Sequence, residues 1–512
     1  MKLASSLRFR RWPLRRAIGA LVLVALPQLV APATAQVPTL GDTSEMDSRS
    51  ERRLGEQIAR ELYRDPDYLD DPVLYEYVLG IWQQLLAAAR ARGELTAELD
   101  ERFAWQVLLG KDRIINAFAL PGGWMGLQLG LIGVTVTRDE LASVLAHELS
   151  HVTQRHISRL MTQERRQMPW LIAAVILGAM AAGKNPDAAN AVVAGGQALA
   201  IQNQLNFSRD MEREADRIGY AVMTQAGFSP QGFVTMFDKL QQAARLNDNG
   251  SFPYLRTHPM TTERIADMQA RHQLIDRAAG PAVADIEHAL MAARSRVISN
   301  GGVDALHGYV AEAQQPGLTA QPPVRQAAVL YAAALAASRL RDPAAAARLA
   351  DRLIAVSAHE PAAARLANLL AAEIALAAGA AGRAASLIDA GATRRPEIML
   401  LSEAQVQTGQ PGQAGEAAQR LQIWVAQHPR DGAAWQLLSG AYTAQGFTLR
   451  AIRAGAEAQV AHLDYLAAID RFKAAQELVR KRGAGVDHIE ASIIDTRARQ
   501  VESLLREQAL ER

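Results

Sequence analysis

The sequence predicts a mainly α-helical protein: a first domain with a small β-sheet, followed by an α-solenoid of short repeats. A helix start signal opens an amphipathic segment at residues 137–167, and two extended stretches flank a proline-glycine turn within residues 115–132. The last third of the chain is rich in alanine and has prolines at a nearly constant spacing. We therefore expect a mixed domain over residues 44–280, a helical connector over residues 281–317 and a repeat domain over residues 318–512.

The first 35 residues have the pattern of a secretory signal peptide. They contain six basic residues and no acidic residue, then the apolar run "AIGALVLVALPQLV", then Ala33 and Ala35 in an A-x-A cleavage site. The apolar run is shorter than the roughly 20 residues that a membrane span needs. An uncleaved membrane anchor is the alternative, but Pro27 and the cleavage site favour removal of residues 1–35.

Charge and cysteine content narrow the function classes. Of the 55 Lys and Arg residues, six lie in the predicted signal peptide, which leaves 49 against 53 acidic residues and a net charge of −4. No basic tract remains, so we expect no nucleic-acid partner. The chain has no cysteine, so it offers neither a thiol nucleophile nor a thiolate ligand. Any metal site therefore has to use histidine and carboxylate side chains.

The predicted sheet lies in the stretch "INAFALPGGWMGLQLGLI" at residues 115–132. Its residues indicate a strand, a turn at Pro121-Gly122-Gly123, and a second extended stretch. A strand over residues 115–120 can bind an extended polypeptide by pairing backbone to backbone, which gives little side-chain specificity.

The segment that follows the sheet predicts one long helix with a candidate metal site. Thr137 and Glu140 form a capping box at its start. His147 and His151 are four residues apart, so both imidazoles lie on one face of the helix, where each can reach a zinc ion at about 2.0–2.1 Å. Glu148, next to the first histidine, is placed to take a proton from a water on the metal. The alternative is a structural helix that carries these three residues by chance.

A second helix, "FSRDMEREADRIGYAVM", supplies the third ligand that a catalytic zinc ion needs. Glu212 and Asp216 are four residues apart on one face of this helix. We expect Glu212 to bind the metal and Asp216 to accept the N–H of a ligating histidine, with His147 as its first choice and His151 as the geometric alternative. Taken alone, an E-x-x-x-D pattern is usually a solvated helix face.

Two residues near these motifs fall outside the predicted site. Glu214 points away from the face that carries Glu212 and Asp216. On a continuous helix His156 lies roughly opposite His147, so we expect it at the protein surface.

The C-terminal region predicts helical repeats. Pro361, Pro396 and Pro429 are spaced 35 and 33 residues apart, close to the 34-residue period of tetratricopeptide helix pairs. Trp435 and Tyr442 follow the last of these prolines at helical spacing. Such repeats stack into a solenoid with a concave groove, which implies a protein or peptide partner. A non-repeating helical bundle is the alternative.

The segment at residues 168–201 contains an apolar run of 14 residues, from Trp170 to Gly183. This run is short for a membrane span. We interpret the segment as a helical hairpin that packs on the first domain or makes peripheral contact with the membrane surface. A plain buried hairpin is the alternative.

The motifs "NAFALPGG", "HELSHVTQRH" and "SRDMEREADRIG" together resemble the Ste-type gluzincin metalloproteases. Their combination with a signal peptide and C-terminal repeats resembles the branch of periplasmic β-barrel assembly-enhancing proteases. The resemblance implies a zinc endopeptidase of the Gram-negative periplasm with one Zn²⁺ per subunit. It also implies action on misfolded or stalled outer-membrane β-barrel proteins, with the barrel-insertion machinery recruited through the repeat domain.

The resemblance gives a role to the segment "YLRTHPMTTERI", which carries His258. In relatives the T-H-P segment lies over the active site, where its histidine can approach the zinc or the transition-state oxyanion and gate access. On sequence alone, a histidine before a proline is more often a loop residue.

The sequence leaves a second function open. The chain can act chiefly as a chaperone or scaffold through its repeat domain, with proteolysis latent. A non-proteolytic zinc hydrolase lacks any small-substrate signature.

Overall fold

The computed structural model describes residues 46–163, 209–245, 253–275, 285–482 and 487–510. The described part of the chain is mainly helical, with one small mixed β-sheet and a long helical C-terminal region. The sequence-based prediction of the fold class is therefore confirmed.

Two predicted segments, the signal peptide at residues 1–35 and the apolar hairpin at residues 168–201, lie outside the described residues. Among the helices that are described, none combines the length and apolar character that crossing a membrane requires.

The sheet has four strands in the order β1-β2-β4-β3, with β2 and β4 parallel and the two outer pairs antiparallel. The strands are β1 (Tyr68–Leu69), β2 (Gln106–Gly110), β3 (Ala117–Leu120) and β4 (Trp124–Gln128). The expected strand–turn–strand unit is thus β3, the turn and β4. The turn requires glycine, because Gly122 and Gly123 have φ of 71° and 83°. Among the described strands, β3 lies at an edge of the sheet and pairs with β4 alone.

Ten helices surround this sheet in the described part of the first domain. They are α1 (Ser48–Arg64), α2 (Pro72–Ala91), α3 (Ala97–Arg102), α4 (Leu129–Val134), α5 (Arg138–Thr153), α6 (His156–Gln163), α7 (Arg209–Gln225), α8 (Gln231–Arg245), α9 (Tyr254–Thr257) and α10 (Thr262–Ile275). Helix α5 is central: it packs against α7, α8, α2 and β3, and from Glu140 to Thr153 every one of its residues is buried.

The prediction of a single helix over residues 137–167 is wrong, because the chain breaks between α5 and α6. Arg155 has φ of 53°, in the left-handed region, so the helix cannot continue through it. The Arg155 side chain donates from Nε to Glu51 Oε2 at 2.9 Å, which ties the break to α1. After the break the chain turns, and α6 starts in a new direction at His156.

The described C-terminal region is a succession of helices, each packed on the next. They are α11 (Ile286–Ser299), α12 (Val303–Glu312), α13 (Pro323–Arg339), α14 (Pro343–Ser357), α15 (Pro361–Ala377), α16 (Ala381–Ser386), α17 (Arg395–Gln407), α18 (Pro411–Gln427), α19 (Gly432–Ala444), α20 (Thr448–Ala461), α21 (Tyr465–Arg482) and α22 (His488–Leu510). Pro361 is the first residue of α15, and Pro396 is the second residue of α17. The assignment to tetratricopeptide-like repeats stays a prediction.

Helix α11 joins the two regions. It packs on α2 and α4 on one side and on α13 and α15 on the other. Its buried Arg294 donates to Asp71 at the start of α2, and also to Tyr331 and Glu373 of the C-terminal region. Arg294 thus links the start of α2 to helices α13 and α15.

Candidate metal centre

Helix α5 supplies two histidines that face the same point. The helix begins at an N-cap, because Thr137 Oγ1 accepts from the backbone N–H of Glu140 at 3.2 Å. One turn separates His147 from His151, and their Nε2 atoms lie 3.0 Å apart. Both side chains are almost completely buried. This separation suits two ligands of one shared cation.

Helix α7 brings a carboxylate to the same point. Glu212 Oε1 lies 3.4 Å from His151 Nε2, and Glu212 Oε2 lies 3.5 Å from His147 Nε2. The two helices approach closely because Gly219 has no side chain: a Cβ there would lie 3.0 Å from the carbonyl oxygen of Ala146. A larger residue at position 219 would push Glu212 away from the histidines.

His258 adds a fourth ligand atom. Its Nδ1 lies 3.3 Å from His147 Nε2 and 3.0 Å from Glu212 Oε1. The ring is buried and stacks on Tyr254, with 4.5 Å between the ring centres. The short helix α9 holds this stack, since the His258 backbone N–H donates to the Tyr254 carbonyl at 2.9 Å.

The four side chains fit a single metal ion. One ligand atom from each of His147, His151, Glu212 and His258 lies within 4.8 Å of all the others. In a tetrahedral site with bonds of about 2.0–2.1 Å, neighbouring ligand atoms lie ~3.3 Å apart. The measured separations of 3.0–3.5 Å bracket that value. Imidazole and carboxylate donors suit zinc and other first-row divalent ions.

The electrostatics of the cluster also favour a cation. Burial disfavours a protonated His147, but hydrogen bonds and charge interactions with Asp216 and Glu212 outweigh it and raise the pKa of His147 to about 10. Burial likewise opposes the ionisation of Glu212, but the neighbouring histidines hold the pKa of Glu212 well below its usual value. The buried carboxylates of Glu212 and Asp216 thus favour positive charge at this point.

Asp216 and Arg264 support the ligands from behind. Asp216 Oδ1 lies 2.9 Å from His147 Nδ1, on the side of the ring away from the cluster. Arg264 binds both oxygens of Asp216 at 2.7 and 2.8 Å, and its Nη1 lies 2.8 Å from Glu212 Oε2. Although burial opposes it, the charge of Arg264 helps to hold the pKa of Asp216 below its usual value. No short motif in the sequence marks Arg264.

Glu148 lies between the cluster and the edge strand. Its Oε2 accepts from the backbone N–H of Ala119 on β3 at 2.9 Å, and its Oε1 lies 3.4 Å from His258 Nε2. The side chain is fully buried. The Ala119 N–H is therefore turned away from β4, towards the cluster, and Glu148 is fixed beside the unpaired edge of the sheet.

His156 is not at the surface, as the sequence suggested, but completely buried. Its Nδ1 lies 2.8 Å from His151 Nδ1, and its Nε2 lies 3.0 Å from Glu214 Oε2. Through this contact Glu214 also belongs to the surroundings of the cluster. Arg159 Nη1 donates to the same oxygen of Glu214 at 2.8 Å. The expectation was wrong because it assumed a continuous helix, whereas the break at Arg155 turns His156 back towards His151.

Residues 83–272, which include His147, Glu212 and His258, match the model of peptidase family M48. This part of the chain is therefore similar to the family M48 peptidases.

Several of the proteins that this chain is similar to are bacterial proteases named for β-barrel assembly. The chain is 34% identical over 252 residues to the putative beta-barrel assembly-enhancing protease of Vibrio cholerae, covering 48% of this chain and 49% of that one. It is 32% identical over 248 residues to the beta-barrel assembly-enhancing protease of Escherichia coli K12, with 47% and 49% covered. The mitochondrial metalloendopeptidase OMA1 of Arabidopsis thaliana is 32% identical over 164 residues, with 32% and 31% covered. The matches span about half the length of the bacterial relatives.

The cluster predicts one tightly bound divalent ion per chain. We expect that His147→Ala and Glu212→Ala each lower the metal content, measured by elemental analysis of purified protein, clearly below that of the unaltered chain, because each removes one of the four ligand atoms that converge on the ion. His307→Ala is the matched control, since His307 is an exposed histidine of α12. Metal content in the His147 variant equal to that of the unaltered chain would contradict the assignment.

Proposed function

We propose that this protein is a periplasmic zinc endopeptidase that degrades misfolded or stalled outer-membrane β-barrel proteins and assists the assembly of others. The observation that carries the proposal is the convergence of His147, His151 and Glu212 on one point, with Glu148 fixed between that point and an edge strand. The similarity of residues 83–272 to peptidase family M48 supports a protease, and the names of the bacterial relatives support a role with β-barrels.

In the proposed mechanism His147, His151 and Glu212 would hold the zinc ion, which would supply Lewis acidity to a water molecule and to a peptide carbonyl. Glu148 would take the proton of the attacking water and return it to the leaving amine. Asp216 accepts the Nδ1–H of His147 and so keeps Nε2 free for the metal.

The edge strand is the proposed substrate-binding element. No described strand pairs with the outer side of β3, and the N–H of Ala119 on that side donates to Glu148. An extended polypeptide that pairs with β3 places one of its peptide bonds beside the general base. Backbone pairing recognises unfolded chains of many sequences, which suits a quality-control enzyme.

His258 closes the site in the proposed resting form. Its Nδ1 takes the fourth position around the point where the ligands converge, which is the position that water or substrate needs. Its Nε2 also faces Glu148 at 3.4 Å. Proteolysis therefore requires the segment at residues 253–261 to move away from the metal.

This closure favours a second candidate function, that of a chaperone or scaffold with latent proteolysis. In that case the C-terminal helices recruit the barrel-insertion machinery, and the segment at residues 168–201 makes peripheral contact with the membrane. Both functions include the same metal centre, and they differ in whether peptide-bond cleavage is needed in the cell.

Glu148→Gln tests the mechanism. We expect cleavage of an unfolded protein such as reduced casein to fall by about 10²–10⁴-fold, because the general base is lost, while the metal content stays at about one ion per chain. Glu101→Gln, at an exposed position of α3, is the control and keeps full activity. Full activity of Glu148→Gln would overturn the mechanism. If that inactive variant restores β-barrel assembly in cells that lack the protein, the scaffold function replaces proteolysis as the main one.

His258→Ala tests the closure. We expect faster cleavage of the same substrate, since the fourth position opens without loss of the three other ligands, and His307→Ala again serves as the control. Slower cleavage at unchanged metal content would contradict the closed resting form and would give His258 a direct part in catalysis.

A further inference from the structure

His156 and Glu214 extend the metal centre towards the protein surface. His156 is the first residue of α6, directly after the left-handed Arg155, and its ring lies edge-on to that of His151 with 4.8 Å between the ring centres. On the far side its Nε2 contacts Glu214, which α7 places two residues after Glu212. The side chain of Glu214 is partly exposed, so this path connects the buried cluster with the solvent.

A metal on His151 Nε2 would set the direction of these hydrogen bonds. His151 presents Nε2 to the other ligands, so a neutral ring carries its proton on Nδ1. The 2.8 Å contact between the two Nδ1 atoms then makes His156 Nδ1 the acceptor. His156 carries its own proton on Nε2 and donates it to Glu214 Oε2 at 3.0 Å. Arg159 donates to the same oxygen and balances the charge of Glu214.

We propose that His156 is a positioning residue that sets the tautomer and orientation of His151, with Glu214 and Arg159 holding His156 in turn. This inference rests on the proposed metal centre. The two ligand histidines are then supported differently. His147 Nδ1 lies 2.9 Å from the carboxylate of Asp216, whereas His151 Nδ1 faces a second imidazole, with a carboxylate one ring further away. Partners of this kind raise the basicity of a ligand and fix its ring, and their loss typically weakens metal binding by about 10–100-fold.

A matched pair of variants separates positioning from simple packing. In His156→Asn the amide oxygen can take the place of Nδ1 and accept from His151, whereas His156→Leu fills similar space without an acceptor. We expect zinc binding, measured by competition with a chromogenic chelator on the full chain, to weaken about 10–100-fold in the leucine variant and only a few-fold in the asparagine variant. The melting temperature of the metal-free protein reports packing, and we expect similar values for the two variants.

Equal zinc affinity of His156→Leu and the unaltered chain would overturn the proposal, as would equal losses in both variants. If His156→Leu does not fold, Glu214 provides the test, because its position is partly exposed. Glu214→Gln keeps an oxygen that accepts from His156 Nε2–H and retains its affinity, whereas Glu214→Ala weakens zinc binding several-fold. Equal zinc affinities of Glu214→Gln and Glu214→Ala would also overturn the proposal. If the unaltered chain binds no zinc, the proposed function itself fails, and the two failures are thereby distinguished.

Discussion

The close packing of α5 against α7 is the constraint on which the rest of the site depends. The converging side chains of α5 lie about 60 positions before those of α7 in the sequence, and they meet because the backbones of the two helices approach closely at Gly219 and Ala146. This contact sets Glu212 opposite the pair of histidines and places Asp216 behind His147. The sheet adds the second requirement, since β3 runs against α5 and supplies the backbone N–H that holds Glu148.

The buried carboxylates of the site need positive charge close by. Glu148, Glu212 and Asp216 are all buried, and among the described residues that contact them Arg264 is a buried guanidinium. Unpaired buried carboxylates are costly, so the cluster needs further positive charge. A divalent cation supplies it and lets the histidines remain neutral ligands. We therefore expect a bound metal to stabilise the buried cluster as well as to supply its proposed chemistry.

The sequence predicted those parts of the site that depend on spacing within one helix. His147, Glu148 and His151 share the regular helix α5, and Glu212 and Asp216 share α7, so the periodicity of a helix was enough to group them. His156 was misplaced because the break at residues 154–155 contains neither glycine nor proline, and Arg155 adopts its left-handed conformation through contacts with α1. Its contact with His151 is tertiary, and the residue spacing carries no signal for it.

Other parts could not be predicted for the same reason. Strands β1 and β2 are short and draw their stability from pairing with distant segments, so local pattern does not mark them. The approach of His258 to the ligands was suggested by the family resemblance and not by the residues themselves. The helical character of the C-terminal region was evident from its composition, but its packing on the first domain depends on individual ion pairs such as that of Arg294 with Asp71.

The most direct test of the proposed metal centre is the X-ray absorption spectrum at the zinc edge of the full chain loaded with one equivalent of zinc. We expect four nitrogen and oxygen neighbours at about 2.0–2.1 Å, with the outer-shell scattering of three imidazole rings from His147, His151 and His258. A six-coordinate shell of oxygen atoms without imidazole scattering would contradict it, because the metal would then lie elsewhere in the protein.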